Sequence, residues 1–238
     1  MAQVTDTTSR REAPALLIVA HGETGGSETN AVLARVAGAV AARLPGMPVV
    51  HGVLNGAPSL EAAADAVRGR RVFVHPFFMS NGYFVGRALP DRLAKAGIQA
   101  PKILTPLGLL PRLVPLVMRE FGNERPKAIL VAGHGSPKDD RSRIATANFA
   151  EALGNALGVP PRTAFLDEPP FIEKVAHDLR DGEAVVSFFA GDGAHARDDV
   201  PNMLRDAGRS DVKVVGPVGS LNGVSDLIAA EVGAALTH

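Results

Sequence analysis

Histidines and carboxylates follow three apolar runs in the second half of the chain. His134 comes after the first run, Asp167 and Glu168 after the second, and His195 after the third, in a glycine-containing loop. If these runs are parallel strands, their carboxyl ends meet at one edge of a sheet, where ligands bind in such folds. Two imidazoles with one or two carboxylates suit a borderline divalent ion such as Fe²⁺, Co²⁺ or Ni²⁺. The spacing therefore predicts one metal-binding edge.

The first half of the chain carries different residues at the corresponding positions. His21 matches His134, Asn55 stands where the acids begin, and Phe84 stands where His195 does. A purely structural role for the histidine pair predicts that both halves would keep it. The asymmetry therefore favours one working site, in the second half, with the first half as a wall. His21 either contributes to a shared cleft or caps its own loop.

The composition excludes several classes of protein. The chain has 238 residues, 25 basic and 25 acidic side chains, and no cysteine. Disulfides, zinc fingers and protein-ligated iron–sulfur clusters are excluded, so a metal must bind His, Asp or Glu. The zero net charge argues against nucleic-acid binding, and no apolar run has membrane-spanning length. Residues 1–14 lack an apolar signal core, so we expect a flexible tail on a cytoplasmic protein.

Short apolar runs alternate along the chain with stretches that have helical spacing. This alternation, with strands that are apolar on both faces, predicts an α/β fold with parallel sheets flanked by helices. The predicted strands are residues 15–20, 48–54, 71–78, 102–104, 128–132, 162–166, 184–189 and 212–215. The predicted helices are residues 30–44, 59–67, 85–96, 109–121, 144–157, 171–179, 198–207 and 224–235.

The second half of the chain repeats the first. LLIVAHGE at residues 16–23 matches ILVAGHGS at 129–136, and FFMSNGYFVGRALPDRL at 77–93 matches FFAGDGAHARDDVPNML at 188–204. Residues 52–61 also match 164–173, and residues 102–108 match 213–219. Four blocks in register are an internal repeat, which divides the chain into lobes at 15–124 and 125–238. Each lobe is predicted to contain one four-stranded parallel sheet.

The repeated motifs identify a family resemblance. The HGS motif at 134–136, FLDEPP at 165–170, the block from Phe188 to Pro201 and the PxLG-like endings at 105–108 and 216–219 resemble the class II tetrapyrrole chelatases. This is the sirohydrochlorin cobalto- or ferrochelatase (CbiX-like) family, in its two-copy form. The resemblance implies two flavodoxin-like lobes that face each other across a cleft for a cyclic tetrapyrrole. It also implies insertion of Co²⁺ or Fe²⁺ in cobalamin or siroheme biosynthesis, with no ATP, NAD or iron–sulfur cluster.

The resemblance also implies roles for the site residues. His134 and His195 would bind the metal and accept protons, and Glu168 or Asp167 would be the accompanying acid. In two-copy bacterial members the working pair usually lies in the first half, whereas here it lies in the second. The substrate's carboxylates need polar and cationic partners. The predicted substrate-binding residues are Ser136, Lys138, Arg141, Arg197, Arg87 and His21.

Other functions are weaker alternatives. A non-catalytic metal or tetrapyrrole carrier of the same fold is the main one. No G-x-G-x-x-G follows the first strand and no Walker sequence is present, which argues against a nucleotide-binding enzyme. Ser136 lies in HGS rather than in a G-x-S-x-G elbow, so a serine hydrolase is not expected. We expect neither nucleic acid nor membrane as a partner, and a monomer (an internal pseudo-dimer) or a weak homo-oligomer.

Overall fold

The strands form two separate four-stranded parallel sheets in a computed structural model that describes residues 13–22, 30–191 and 199–237. The first sheet has the order β2-β1-β3-β4 and the second the order β6-β5-β7-β8. The strands are β1 (Pro14–Ala20), β2 (Val49–Val53), β3 (Arg71–Pro76), β4 (Lys102–Ile103), β5 (Ile129–Gly133), β6 (Pro161–Phe165), β7 (Ala184–Ser187) and β8 (Lys213–Val215). The α/β prediction with two four-stranded sheets is confirmed.

Helices connect the strands in both repeats. In the described part of the chain, none of them combines the length and apolar character needed to cross a bilayer. They are α1 (Ala31–Arg43), α2 (Leu60–Ala66), α3 (Leu89–Lys95), α4 (Leu113–Phe121), α5 (Arg141–Leu157), α6 (Ile172–Ala176), α7 (Val200–Asp206) and α8 (Val224–Leu236).

Two helices begin later than the sequence predicts. A π-helical turn, Phe84–Ala88, precedes α3. The helix predicted over residues 109–121 begins only at Leu113. The residue before a proline avoids the helical region, and Leu110, which precedes Pro111, is indeed extended with φ −71° and ψ 119°.

The central strands align the loops that carry the candidate residues. All residues of β5 are buried, as expected for a strand covered on both faces. β5 pairs with β6 so that Gly133 lies opposite Phe165, which brings the residues after both strands to one edge. β5 also pairs with β7. From β5 the chain continues to β6, its neighbour on one side, and from β7 it continues to β8, its neighbour on the other side. The strand order therefore reverses between β5 and β7, which is the switch point where α/β proteins bind ligands.

The chain divides into two compact units, and neither consists of one repeat alone. The first unit contains the described residues up to Phe77, Phe84–Thr105 and the described residues from Ser225 onward. The second contains Phe78–Tyr83 and Pro106–Val224. The last helix of each repeat thus belongs to the unit formed by the other repeat, because α4 packs against α5 and β8, whereas α8 bonds to the first sheet.

Polar side chains fix α8 to the first sheet. His75 of β3 is fully buried, and its Nδ1 lies 3.1 Å from Oε2 of Glu231 on α8. The other oxygen of Glu231 accepts the backbone N–H of Thr105 at 2.8 Å. Nearer the helix end, Nζ of Lys102 donates to the carbonyl oxygen of Ala235 at 2.9 Å. The carboxylate of Glu231 therefore satisfies two donors of the first unit at once.

Candidate functional site

The loops after β5 and β6 meet at the carboxyl edge of the second sheet. The backbone N–H groups of Leu166 and Asp167 both donate to the carbonyl oxygen of His134, at 3.1 and 3.0 Å. These bonds continue the pairing of the two strands beyond their ends. They bring the side chains of His134 and Asp167 to the same place.

The His134 imidazole and the Asp167 carboxylate form the central pair of this edge. Nδ1 of His134 lies 3.3 Å from Oδ2 of Asp167 and 3.2 Å from the carbonyl oxygen of Gly135. Because both neighbours of Nδ1 are acceptors, we assign the hydrogen of the neutral ring to Nδ1 and the lone pair to Nε2. The two side chains are 48% and 53% exposed. The pair therefore places an imidazole, backed by a carboxylate, at an accessible edge.

Glu168 has different surroundings from Asp167 although the two are adjacent. Its Oε1 accepts the backbone N–H of Ser136 at 3.0 Å, and its Oε2 lies 3.7 Å from Nε of Arg143. The side chain is only 14% exposed. The structure thus brings Asp167 to the imidazole and turns Glu168 toward the backbone of the loop.

The tight turn after His134 requires glycine at position 135. Gly135 has a φ of +74°, which side chains rarely tolerate. A Cβ added there would lie 2.8 Å from Cβ of Phe165 and 2.9 Å from Cγ of Glu168. The loop therefore passes directly over β6 and the Glu168 side chain.

The basic residues predicted to bind substrate differ in how they are paired. Arg141 donates from its guanidinium to both carboxylate oxygens of Asp139, and this hydrogen bonding lowers the pKa of Asp139 to about 2. Lys138 is exposed, and its ammonium has no ion pair with a carboxylate of the described residues. The hydroxyl of Ser136 accepts the backbone N–H of Lys138 at 3.3 Å. The Lys138 ammonium is therefore more available than the paired Arg141 guanidinium to bind an anion.

The first sheet presents a related edge without an acid. Nε2 of His21 lies 3.3 Å from the amide nitrogen of Asn55, and its Nδ1 lies 3.2 Å from the carbonyl oxygen of Gly22. The Phe84 ring packs edge-on against the imidazole at a centroid distance of 4.5 Å. An amide that donates to Nε2 occupies the lone pair that a metal ion would need. Arg87 is exposed on the same π-helical turn as Phe84.

Part of the predicted site is described and part is not. His195 and Arg197 lie outside the described residues. Among the residues the structure does describe, no three His, Asp or Glu side chains converge as a metal-binding group. Of the four predicted ligands, His134 and Asp167 are in contact, while the Glu168 carboxylate is directed at Ser136.

Sequence reasoning did not predict two partners of this edge. The Asp139–Arg141 pair has a local signal, since an Asp two residues before an Arg at a helix start can bond both its backbone and its guanidinium. The Arg143–Glu168 pair has none, because it joins residues of different loops through the register of β5 and β6.

Comparison with known proteins gives consistent matches. The model of the CbiX family matches residues 15–123 and again residues 128–235. A curated relative, the probable sirohydrochlorin cobaltochelatase of Halobacterium salinarum, is 25% identical over 179 residues. That match covers 60% of this chain and 60% of the relative, so the chain spans less than two thirds of the relative's length.

Solved structures show the same fold. CbiX, the terminal enzyme for biosynthesis of siroheme in denitrifying bacteria, superposes with a TM-score of 0.77 and 31% identity, covering 93% of this chain and 99% of its own. SirB from Bacillus subtilis, solved with Fe³⁺, superposes with a TM-score of 0.75 and 17% identity, covering 93% and 94% of the two chains. The second likeness concerns the fold alone.

Proposed function

This chain belongs to the CbiX family, and from that premise we propose that it inserts a divalent metal ion into a sirohydrochlorin-type tetrapyrrole. One observation carries the proposal for this chain: at the second sheet a carboxylate backs the exposed imidazole of His134, whereas at the first sheet an amide caps His21. We therefore propose that the working site lies at the second sheet. Co²⁺ and Fe²⁺ are the proposed metal substrates, and Ni²⁺ is a third to test.

The proposed reaction exchanges two protons for one metal ion. The two pyrrole N–H bonds break, their protons leave, and the M²⁺ ion takes their place, so charge balances without a nucleotide or a redox cofactor. Nε2 of His134 is the proposed proton acceptor, since a neutral imidazole can act as a general base. The Asp167 carboxylate at Nδ1 then stabilises the imidazolium that forms.

His195 is the proposed second imidazole of the site. It lies outside the described residues, but its counterpart in the first repeat, Phe84, packs directly on His21. This contact in the first repeat supports His195 as the proposed second imidazole of the site. Lys138, and Arg197 after His195, are proposed to bind the peripheral carboxylates of the macrocycle.

The proposed activity can be measured by absorbance. Purified protein is mixed with sirohydrochlorin and Co²⁺, Fe²⁺ (without oxygen) or Ni²⁺, and the spectral change of metal insertion is followed. We expect a rate above that of the same mixture without protein for at least one ion. Tight binding of the tetrapyrrole with no excess rate for any ion would contradict the enzyme and support a carrier.

Asp167→Asn is expected to lower kcat/KM for the metal ion about 10-fold to 100-fold, the usual effect of losing a carboxylate behind a ligating histidine. The amide has nearly the same shape but no charge to stabilise the imidazolium. Asn55→Ala, the corresponding position of the first repeat, serves as the matched control and should change kcat/KM less than about threefold. Equal losses in both variants would contradict the assignment of the site to the second sheet.

A further inference from the structure

The Glu168 side chain is held at both carboxylate oxygens. Oε1 accepts the N–H of Ser136, Oε2 lies 3.7 Å from the Arg143 guanidinium, and the side chain is 14% exposed. An acid that relays protons or ligates a substrate metal ion needs an accessible oxygen lone pair. Both oxygens of Glu168 are instead directed at groups of the protein itself.

The partner of Oε1 belongs to the loop that carries the histidine. His134, Gly135 and Ser136 are consecutive, so a bond to the Ser136 N–H restrains the far side of the turn. On the near side, the loop is restrained by the N–H groups that donate to the His134 carbonyl. The loop is therefore fixed from both ends by the residues that follow β6.

In the first repeat, different atoms pack against the corresponding glycine. A Cβ at Gly22, which corresponds to Gly135, would lie 1.8 Å from the backbone oxygen of Asn55. In the second repeat the corresponding space is filled by Cγ of Glu168. The position equivalent to Glu168 is Gly56, which has no side chain to bond the loop. The hydrogen bond from the Ser136 N–H to Glu168 Oε1, called the brace below, is thus specific to the repeat in which Asp167 contacts its histidine.

We propose that Glu168 is a positioning residue, which holds the His134–Ser136 loop through the Ser136 N–H, and that Asp167 alone is the acid of the site. This inference rests on the proposed function for its kinetic consequence. What the brace requires is a hydrogen-bond acceptor of the right length rather than a negative charge. Glutamine can supply that acceptor with its amide oxygen, whereas alanine cannot.

Two variants at this position separate the roles. For Glu168→Ala we expect kcat for metal insertion to fall about 10-fold, an effect of misplacing a reacting group. Glu168→Gln should restore kcat to within about threefold of the original chain. The corresponding amide substitution Asp167→Asn should instead lower kcat/KM for the metal ion by the factor of about 10 to 100 given above. A Gln variant as inactive as the Ala variant would overturn the proposal, because it would show that the charge takes part in the chemistry.

Hydrogen exchange provides a readout that is independent of turnover. Without its acceptor, the Ser136 amide should exchange about 10-fold faster or more in Glu168→Ala, and Glu168→Gln should restore slow exchange. Glu173→Gln, an exposed acid in the first turn of α6, is the matched control and should leave this amide unchanged. Unchanged exchange in Glu168→Ala would overturn the brace. Failure of the original chain to insert any metal would instead overturn the proposed function and leave the exchange series interpretable.

Discussion

His134→Ala is expected to lower the rate of metal insertion by at least about 100-fold, toward the uncatalysed rate. The variant removes the imidazole whose Nδ1 faces Asp167 and whose Nε2 is proposed to accept pyrrole protons. Proton transfer by a positioned side chain typically contributes a factor of about 100 to 10,000. The measurement is the initial rate of the absorbance change over a range of sirohydrochlorin concentrations with each metal ion, which gives kcat and KM separately.

The internal repeat supplies the control for this prediction. His21→Ala changes the corresponding residue of the first repeat, where Asn55 rather than an acid faces the ring. We expect a loss of less than about 10-fold, confined to KM for the tetrapyrrole if His21 only binds substrate. Because the His134 side chain is about half exposed, both variants should melt close to the original chain. If His21→Ala alone abolished the activity, the working site would lie in the first repeat.

The second large effect concerns stability. Glu231→Ala should lower the free energy of unfolding by about 2–4 kcal/mol, because the buried His75 and the Thr105 N–H both lose their acceptor. Nε2 of His75 already has no hydrogen-bond partner among the described residues, so the imidazole would be buried without any. In a chain of this size the loss corresponds to a fall in Tm of about 5–15 °C.

Asp226→Ala on the same helix is the matched control for Glu231→Ala. Asp226 pairs with Arg43 at the surface, and its side chain is 61% exposed. Exposed ion pairs contribute little to stability, so we expect a much smaller change in Tm. Glu231→Gln keeps an acceptor and should fall between the two. Equal melting of Glu231→Ala and the original chain would mean that the buried contact does not stabilise the fold.

The sheets can be predicted well from the sequence because the internal repeat shows the pattern of each strand and helix twice. Continuous apolar runs identify buried strands, and their repetition in register excludes most alternative boundaries. The strand-edge rule also places His134 near the residues after β6, since β5 and β6 are neighbours.

The choice between the two adjacent acids depends on contacts that no local pattern contains. Asp167 and Glu168 have the same chemistry and follow the same strand, so spacing alone cannot tell which of them faces the imidazole. The side chain of Glu168 turns inward because the Ser136 N–H and the Arg143 guanidinium meet it there. These partners are 25 or more residues distant in sequence.

The location of the terminal helices is also absent from the sequence pattern. An apolar helix face specifies that a helix packs on a sheet, but it does not specify which of two similar sheets. α4 and α8 fit the sheet of the other repeat, and the polar contacts that select this arrangement, such as His75 with Glu231, span 156 residues.

The exchange of α8 has a consequence for synthesis on the ribosome. The first sheet is complete once β4 has emerged, yet the carboxylate that hydrogen-bonds its buried imidazole arrives with residue 231 of 238. Throughout translation of the second repeat, the nascent first unit therefore lacks one covering helix and exposes apolar surface of the kind that chaperones bind. The first unit can therefore complete its packing only at the end of translation, through contacts between residues that are far apart in sequence. The first repeat expressed alone would lack α8 and would keep this apolar surface exposed.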